Sequence, residues 1–259
     1  MNDKEKMDMK ISGSSTMPGG EYDRVSISGS GKVAGSLRCE ELRCSGSAKV
    51  EGDARVTANL SCSGSAKVEG DVGCGGEMKV SGAFGCGGNA AAKEFHGSGS
   101  TRIDGELNCG VVHASGVLQA ARIHCTELHA SGSLRVSGDV EAERASISAL
   151  VKIDGLLNAE KLEFYPSGSC EIGDIGGAEI RVLRSAGAVG LFGFARKSMA
   201  GTLSVRTIEG DSVELENVTA ESVRGKTVRI GEGCHIQRVE YSESLDAAPG
   251  TVGEAVQTA

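Results

Sequence analysis

Hydrophobic and polar residues alternate along most of the chain, and the alternation is organised by a phrase of eight residues. The phrase reads SGSGKVAG at 28–35 and SGSAKVEG at both 45–52 and 63–70, and weaker copies continue to 167–174. Its second residue, here named the phrase glycine, falls at Gly29, Gly46, Gly64, Gly82, Gly99, Gly116, Gly132, Ala149 and Gly168. The interval between copies is nearly constant and is shortest between Gly116 and Gly132. A nearly fixed period indicates a solenoid, in which each copy packs only against its neighbours.

Four columns of apolar residues lie at even distances from the phrase glycine: two and four residues before it, and four and eight after it. The column four residues after it contains Val33, Val50, Val68, Cys86, Ile103, Ala120, Val136 and Ile153. The last column is mostly apolar but includes His124. Alternation with period two is typical of strands, and a glycine recurring six residues after the phrase glycine suggests a corner that needs unusual backbone angles. We therefore predict an all-β fold, a single-stranded parallel β-helix (solenoid) of about 17–18 residues per coil with disordered termini.

The pattern divides the chain into five parts. They are a disordered N-terminal arm (1–20), β-helix repeats (21–183), an apolar-tipped insertion loop (184–201), C-terminal β-helix coils (202–242) and a disordered tail (243–259). The arm and the tail are polar or rich in small residues and lack periodicity, which is typical of disorder. In the C-terminal coils, the intervals from Val213 to Val228 and from Val223 to Val239 are shorter than the usual interval of the phrase, so shorter coils are expected there.

Composition narrows the choice of partner and compartment. The formal charge of −8 argues against nucleic acid as a partner. The polar start MNDKEKMDMK is not a secretory signal, and no run of about 18 apolar residues could span a membrane. The 9 cysteines include no CxxC pair, and most fall on or near the apolar columns. We expect a cytoplasmic protein whose reduced thiols pack as small hydrophobic groups.

Three histidines form the one candidate for a metal site. His96, His113 and His129 each lie three residues before a phrase glycine, so they are expected to stack on one outer face. Neighbouring imidazoles could share a metal ion or respond to pH. The alternative is a solvated polar ladder, because Ser26 and Arg43 occupy the same column. The solvated ladder is favoured, and the parallel cysteine columns are not closed tetrahedral cages, so no metal and no cofactor are expected.

Charged residues also follow the repeat. A basic column, three residues after the phrase glycine, contains Lys32, Lys49, Lys67, Arg102, Arg135 and Lys152, and an acidic column two residues further on contains Glu51, Glu69, Asp104 and Asp154. Alternating stripes of opposite sign are expected to neutralise each other and to help specify which coil lies on which. No nucleophile elbow, P-loop or HExxH motif is present, so the sequence gives no support for catalysis and we expect no enzymatic activity.

The insertion loop carries the candidate contact with a membrane or partner. Its sequence GAVGLFGFARK places exposed aromatic residues beside cations, as a surface-docking loop would. The alternative is that this tip packs back against the solenoid. The candidate residues are Leu191, Phe192, Phe194, Arg196 and Lys197.

The phrase SGSAKVEG on its regular period resembles the bactofilins, bacterial polymer-forming cytoskeletal proteins, and 208–242 resembles the C-terminal region of a Gram-positive branch of that family. The resemblance implies a right-handed β-helix that assembles end to end, without nucleotide, into non-polar filaments. It also implies a scaffold that places cell-envelope, shape or motility proteins, at times from the inner face of the cell membrane. Many members bind membrane through an N-terminal aromatic or apolar residue paired with lysines, and this chain has no aromatic residue there.

The ends of a β-helix are expected to join independently of the resemblance. A terminal coil has unpaired backbone groups over an apolar core, and an uncapped edge of this kind templates another chain. The predicted joints are the first coil, around Val25 and Ile27, and the last coil, around Val228, Ile230 and Val239.

Three other functions remain as alternatives. A monomeric β-helical module that displays a binding site would have the same repeat. A left-handed β-helix acyltransferase is disfavoured because it would repeat a strict hexapeptide, which the chain lacks. An exported carbohydrate-active or adhesin β-helix would need a secretory signal and a groove of clustered carboxylates or aromatic residues.

Overall fold

The computed structural model describes residues 7–184 and 201–258, and none of these residues is in a helix. The chain falls into two compact units, 1–125 and 126–259. Each unit is a parallel β-solenoid, and the two together comprise about 14 turns. The all-β, parallel β-solenoid prediction is confirmed, and the right hand of the coil stays a prediction.

The first unit is built from short parallel strands joined at corners. Its strands are β1 (Met9–Ile11), β2 (Ser14–Glu21), β3 (Arg24–Ile27), β4 (Ser30–Cys39), β5 (Glu41–Cys44), β6 (Ser47–Val50), β7 (Ala54–Val56), β8 (Leu60–Cys62), β9 (Ser65–Val68), β10 (Val72–Cys74), β11 (Glu77–Val80), β12 (Ala83–Cys86), β13 (Ala90–Gly97) and β14 (Ser100–Ala114). Strand β15 (Val117–Ala130) runs across the boundary between the two units.

The second unit has longer strands that turn corners without a break in pairing. Its strands are β16 (Ser133–Val136), β17 (Val140–Ile147), β18 (Leu150–Phe164), β19 (Ser169–Val182), β20 (Thr202–Leu215), β21 (Val218–Ile230), β22 (His235–Ala247) and β23 (Val252–Gln257). Most of these elements make a whole coil each, whereas most coils of the first unit comprise several short strands.

Pairing between coils follows the sequence period. In the first unit Val25 pairs with Leu42, and Leu42 pairs in turn with Leu60, which are successive members of one apolar column. In the second unit Val213 pairs with Val228 and Val223 with Val239, at the shorter intervals that the sequence predicts. The repeat therefore predicted the register as well as the fold.

The coils after residue 201 continue the stack of the second unit. Strand β20 pairs directly with β19, so that Ile180 lies opposite Val213 and Val182 opposite Leu215. Residues 185–200, which include most of the predicted insertion loop, lie outside the described residues. Strand β20 therefore lies next to β19 in the stack, in register with it.

The apolar columns form the core. Every second residue of a strand points inward, and these side chains are almost fully buried: Val33 0%, Leu107 0%, Phe164 0% and Val223 0% exposed.

The one predicted column member that does not fit is His124, which is exposed, while its neighbour Ile123 is buried. The coil that contains them, between Gly116 and Gly132, is the shortest of the phrase coils and has Arg122 in place of the corner glycine. Ala120 is still buried as predicted, so the missing residue falls between Ala120 and Ile123. Losing one residue from a coil reverses which of the following residues face inward, and this explains the shift.

The glycines are required by close stacking rather than by unusual backbone angles. A Cβ at the phrase glycine Gly64 would lie 2.0 Å from the carbonyl oxygen of Gly46 in the preceding coil. A Cβ at the corner glycine Gly70 would lie 2.2 Å from Asp53 Oδ1. That Asp53 oxygen accepts a hydrogen bond from the backbone N–H of Asp71, which lies one coil further on. Among the corner glycines only Gly35 has a positive φ, of 106°, so the predicted reason for this column is wrong for the others.

The predicted disordered arm is wrong for residues 9–20. Strands β1 and β2 pair in parallel with β3 and β4, and they add one more coil before the first phrase. Ile11 and Met17 fill the interior of that coil, at 5% and 4% exposure. Pro18 lacks an N–H donor and is tolerated because β2 is at the edge of the stack, where the pairing register also shifts.

The predicted disordered tail is wrong in the same way. Strand β22 extends to Ala247, and β23 pairs in parallel with β22. A turn at Pro249 and Gly250 joins them, with Gly250 at a φ of 75°. The solenoid therefore continues by about one coil beyond the predicted boundary at residue 242.

Since the described residues are all strand, turn or irregular, they include no apolar helix of the length that crosses a membrane.

Candidate functional sites

The residues predicted as joints lie inside the stack rather than at its ends. Val25 and Ile27 pair with Met9 and Ile11 on one side and with β5 on the other. In the second unit Val228 lies between Val213 and Leu245. The other two predicted joint residues are covered as well, Ile230 by Ala247 and Val239 by Ala255.

The last coil of the second unit presents an open apolar end. Val252 stacks on buried Ile236 and Ala255 stacks on buried Val239, so both occupy interior positions. Val252 is only half-buried and Ala255 is exposed. Leu245, which stacks on Val228, is also half-buried. Within residues 201–258, β23 pairs with β22 alone, so its other edge leaves backbone donors and acceptors unpaired.

The first coil of the first unit is less suited to pairing with another chain than the last coil of the second unit. Strand β1 pairs with β3, and β2 pairs with β4. Its interior residues Ile11 and Met17 are already buried, and Pro18 interrupts the row of N–H donors. Proline and register shifts at an edge strand both discourage pairing with another chain.

The predicted surface-docking tip cannot be placed. Leu191, Phe192, Phe194, Arg196 and Lys197 all lie outside the described residues.

The charged stripes pair diagonally between coils, as expected. Lys32 Nζ lies 2.7 Å from Glu51 Oε1 in the next coil, and Lys49 Nζ lies 3.2 Å from Glu69 Oε1. Glu69 also accepts Lys67, and these two lysines hold the pKa of its carboxyl below the usual range. Exposed pairs of this kind are screened by solvent and contribute little to stability, so they favour the register more than they stabilise the fold.

All nine cysteines are buried as free thiols. Burial raises the pKa of Cys39, Cys109 and Cys125 to about 12 in each case. Thiols of this kind are poor nucleophiles and poor metal ligands, because both roles require the thiolate. The interpretation of these residues as small hydrophobic groups is confirmed.

The first unit also has a surface depression of about 590 Å³. Its lining includes Arg38, Arg55, Gly73 and Ala91, which are successive members of one outward column. Asp53 and Asp71 line it too, and they offset the charge of the two arginines. The formal charges of these four side chains therefore cancel.

Two of the three predicted histidines stack in the first unit. The ring centroids of His96 and His113 are 4.8 Å apart with an interplanar angle of 20°. His129 belongs to the second unit, where its Nε2 lies 3.5 Å from Glu127 Oε2. Arg144 pairs with the other oxygen of Glu127 and, as the larger influence, lowers the pKa of that carboxyl.

The carboxylates next to His96 were missed by the sequence analysis. His96 Nε2 lies 3.4 Å from Glu77 Oε1 and 3.5 Å from Glu94 Oε2. The signal was available: Glu94 is two residues before His96, and Glu77 lies opposite Glu94, one coil earlier. All three residues therefore face outward on neighbouring strands.

Comparison with known proteins gives relatives without an assigned role. The chain is 41% identical over 96 residues to the protein YhbF of Bacillus subtilis, named only as uncharacterized, which is 37% of this chain and 38% of that protein. It is 37% identical over 99 residues to the uncharacterized YhbE of the same organism, which is 38% of this chain and 40% of that protein. The matches thus span about two fifths of each relative. No known family profile matches the chain, and no solved structure matches it significantly.

Proposed function

We propose that this chain is a structural scaffold of the bactofilin type, which assembles into filaments through the ends of its solenoid without nucleotide and without enzymatic activity. The parallel β-solenoid fold supports this proposal, and so does the repeated phrase. The partner proposed first is a second copy of the same chain.

The open end of the second unit is the observation that carries the proposal. Inside the stack, an inward residue is covered by the coil before it and the coil after it, as Val239 is at 0% exposure. Val252 and Ala255 have a coil on one side only. Another solenoid end placed against β23 would bury these side chains and pair its free backbone groups, which are the two contributions that hold neighbouring coils together. A filament also needs a joint at the first coil, and the non-polar filaments that the resemblance implies would join like ends, β23 to β23 and first coil to first coil, with the weaker joint at the first coil.

The experiment places a charge at the open end. Lysine at Ala255 or Val252 can extend into solvent in the single chain, but a joint would have to bury its ammonium group, at a cost of about several kcal/mol. We expect wild type to sediment in a high-speed pelleting assay at physiological salt, and Ala255→Lys and Val252→Lys to remain in the supernatant with unchanged β circular dichroism.

Leu150→Lys is the matched control. Leu150 is a 41% exposed apolar residue on a lateral face of the second unit, away from the edge strand β23. This variant adds the same charge at an apolar position and should sediment like wild type. If wild type does not sediment, or if the end variants sediment as Leu150→Lys does, the end-to-end scaffold proposal is wrong and a monomeric display module becomes the better account.

Contact with a membrane is a separate part of the proposal and rests on the sequence of the insertion loop. Phe192 and Phe194 next to Arg196 would bind an anionic lipid surface through aromatic and cationic groups together. We expect wild type to float with vesicles that contain anionic lipid and Phe192→Ser/Phe194→Ser to lose this binding. Equal flotation of the two proteins would leave the chain without this proposed membrane contact.

A further inference from the structure

The outer face of the first unit brings two carboxylates and an imidazole to one point. Strands β11 and β13 are neighbours in the stack, with Glu77 opposite Glu94 and Lys79 opposite His96. Met78 and Phe95, which alternate with these residues, are both 0% exposed. The buried apolar residues thus anchor both strands and direct the polar side chains to the same side.

The distances between the polar atoms are those of metal ligands. With bonds of about 2.0–2.2 Å, two ligand atoms of a tetrahedral zinc ion lie about 3.3–3.6 Å apart. His96 Nε2 is 3.4 Å from Glu77 Oε1 and 3.5 Å from Glu94 Oε2. One atom from each of the three residues lies within 4.8 Å of the other two. A small rotation of one exposed carboxylate would close the third distance.

The ligand types select the class of metal. Imidazole nitrogen favours borderline transition ions such as Zn²⁺ over Ca²⁺ and Mg²⁺, which prefer an all-oxygen shell. Two carboxylates and one imidazole leave the fourth position open, as in sites that keep a water molecule or accept one more ligand. His113, whose ring centroid is 4.8 Å from that of His96, is the nearest additional imidazole.

Lys79 sets the affinity of the cluster. Its Nζ lies 2.8 Å from Glu77 Oε2, so it occupies one oxygen of Glu77 and leaves Oε1 directed at His96. The ammonium group orients the carboxylate but also repels a cation. A cation bound here would therefore be held less tightly than it would be without Lys79.

We propose that Glu77, Glu94 and His96 bind one Zn²⁺ or a similar divalent transition ion, with water or His113 completing the coordination. The ion would link two successive coils of the first unit and stabilise them, because it binds the folded stack and not the separated strands. All three ligands lie on a lateral face, so the inference does not depend on how the ends of the solenoid assemble.

The test is titration calorimetry, in which ZnCl₂ is added to the untagged full chain after treatment with chelator. We expect one ion per chain. His96→Gln and Glu77→Gln should each weaken binding by about tenfold or more, while retaining wild-type circular dichroism in chelator. Lys79→Met, which removes the competing charge, should bind more tightly than wild type.

The second unit offers a matched control. His129 also faces a carboxylate at 3.5 Å, Glu127, but there Arg144 pairs with that carboxylate. His129→Gln should therefore bind zinc as wild type does. Binding of Co²⁺ should give a visible spectrum without a thiolate charge-transfer band, since the nine cysteines are buried.

Three results would overturn the proposal: no binding at one ion per chain, the same affinity in His96→Gln as in wild type, or an equal loss of affinity in His129→Gln. A thiolate band in the Co²⁺ spectrum would assign the metal to cysteine and would also contradict it.

Discussion

The size match between Phe95 and Gly97 gives the sharpest test of how the core is packed. Both residues face inward on β13, and Phe95 is 0% exposed. A Cβ on Gly97 would lie 2.7 Å from Cε1 and 2.8 Å from Cζ of the Phe95 ring. The large ring therefore fits because the next inward residue has no side chain. In the preceding coil the same two positions are Met78 and Val80.

These distances set the expected magnitudes. Carbon atoms pack best at about 3.5–4.0 Å, so Gly97→Val forces the ring out of place and should cost about 1–3 kcal/mol of unfolding free energy. Phe95→Met keeps a similar volume and should cost about 1 kcal/mol. The double variant Phe95→Met/Gly97→Val recreates the pair of the preceding coil. It should lose at least about 1 kcal/mol less than the sum of the single variants.

Urea denaturation at low protein concentration, monitored by circular dichroism, measures the unfolding free energy of wild type, the two single variants and the double variant. Hydrogen exchange over residues 90–97 shows whether the change is local to β13. A double variant that loses as much as the sum of the single variants, or more, would refute the argument that ring size and the missing side chain compensate each other.

Three further predictions concern stacking, thiols and acid. Gly64→Ala should lower the unfolding free energy by about 2–4 kcal/mol in urea, since its Cβ meets a backbone oxygen at 2.0 Å, whereas Gly73→Ala, whose Cβ meets nothing within 4 Å, should be nearly neutral; equal effects would contradict the stacking argument. The native protein should react with no more than a trace of a thiol reagent and the unfolded protein with 9 equivalents; fast reaction of a native thiol would show that the core opens. Arg206 holds the pKa of Asp174 below its usual range, so this pair stabilises the fold above the unfolded-state value of about 3.9 and the contribution is lost as pH falls through the lower folded-state value. Melting temperatures of Asp174→Asn should therefore differ from wild type near neutral pH and converge with it in strong acid, and a constant difference would contradict this assignment.

The repeat predicted most of the fold because each coil has the same pattern of inward apolar and outward polar positions. Inward positions such as Val33, Val50 and Val68 are apolar in every coil, and stacking like on like defines the register. The short C-terminal intervals were predicted for the same reason. In the short coil after Gly116 the inward position moves by one residue. The alignment therefore assigned His124 to the core, whereas Ile123 is the buried residue.

The terminal coils could not be predicted from local pattern. Strand β2 reads SSTMPGGE, with one large apolar residue, Met17, and β23 reads VGEAVQ, in which the apolar residues do not alternate with period two. Both are strands because the neighbouring coil offers a complete row of hydrogen-bonding partners, which is a tertiary effect. The stack has about one more coil at each end than the sequence predicts. Val25 and Val239 are therefore internal, and the edges lie at β1, β2 and β23.

The ligands proposed for zinc, Glu77, Glu94 and His96, lie in two neighbouring columns of the repeat. Taken by itself, the histidine column also contains Ser26 and Arg43 and therefore favours a solvated ladder. The neighbouring column, which contains Glu77 and Glu94, becomes relevant only when two columns are read side by side across adjacent coils. Distances between side-chain atoms then required the structure.

Negative-stain electron microscopy of the untagged protein, at physiological salt and without nucleotide, shows whether the solenoid ends join into a scaffold. We predict filaments or sheets for wild type and for Leu150→Lys, and short separate particles for Ala255→Lys. Short separate particles for wild type at every concentration would contradict end-to-end assembly of the solenoid.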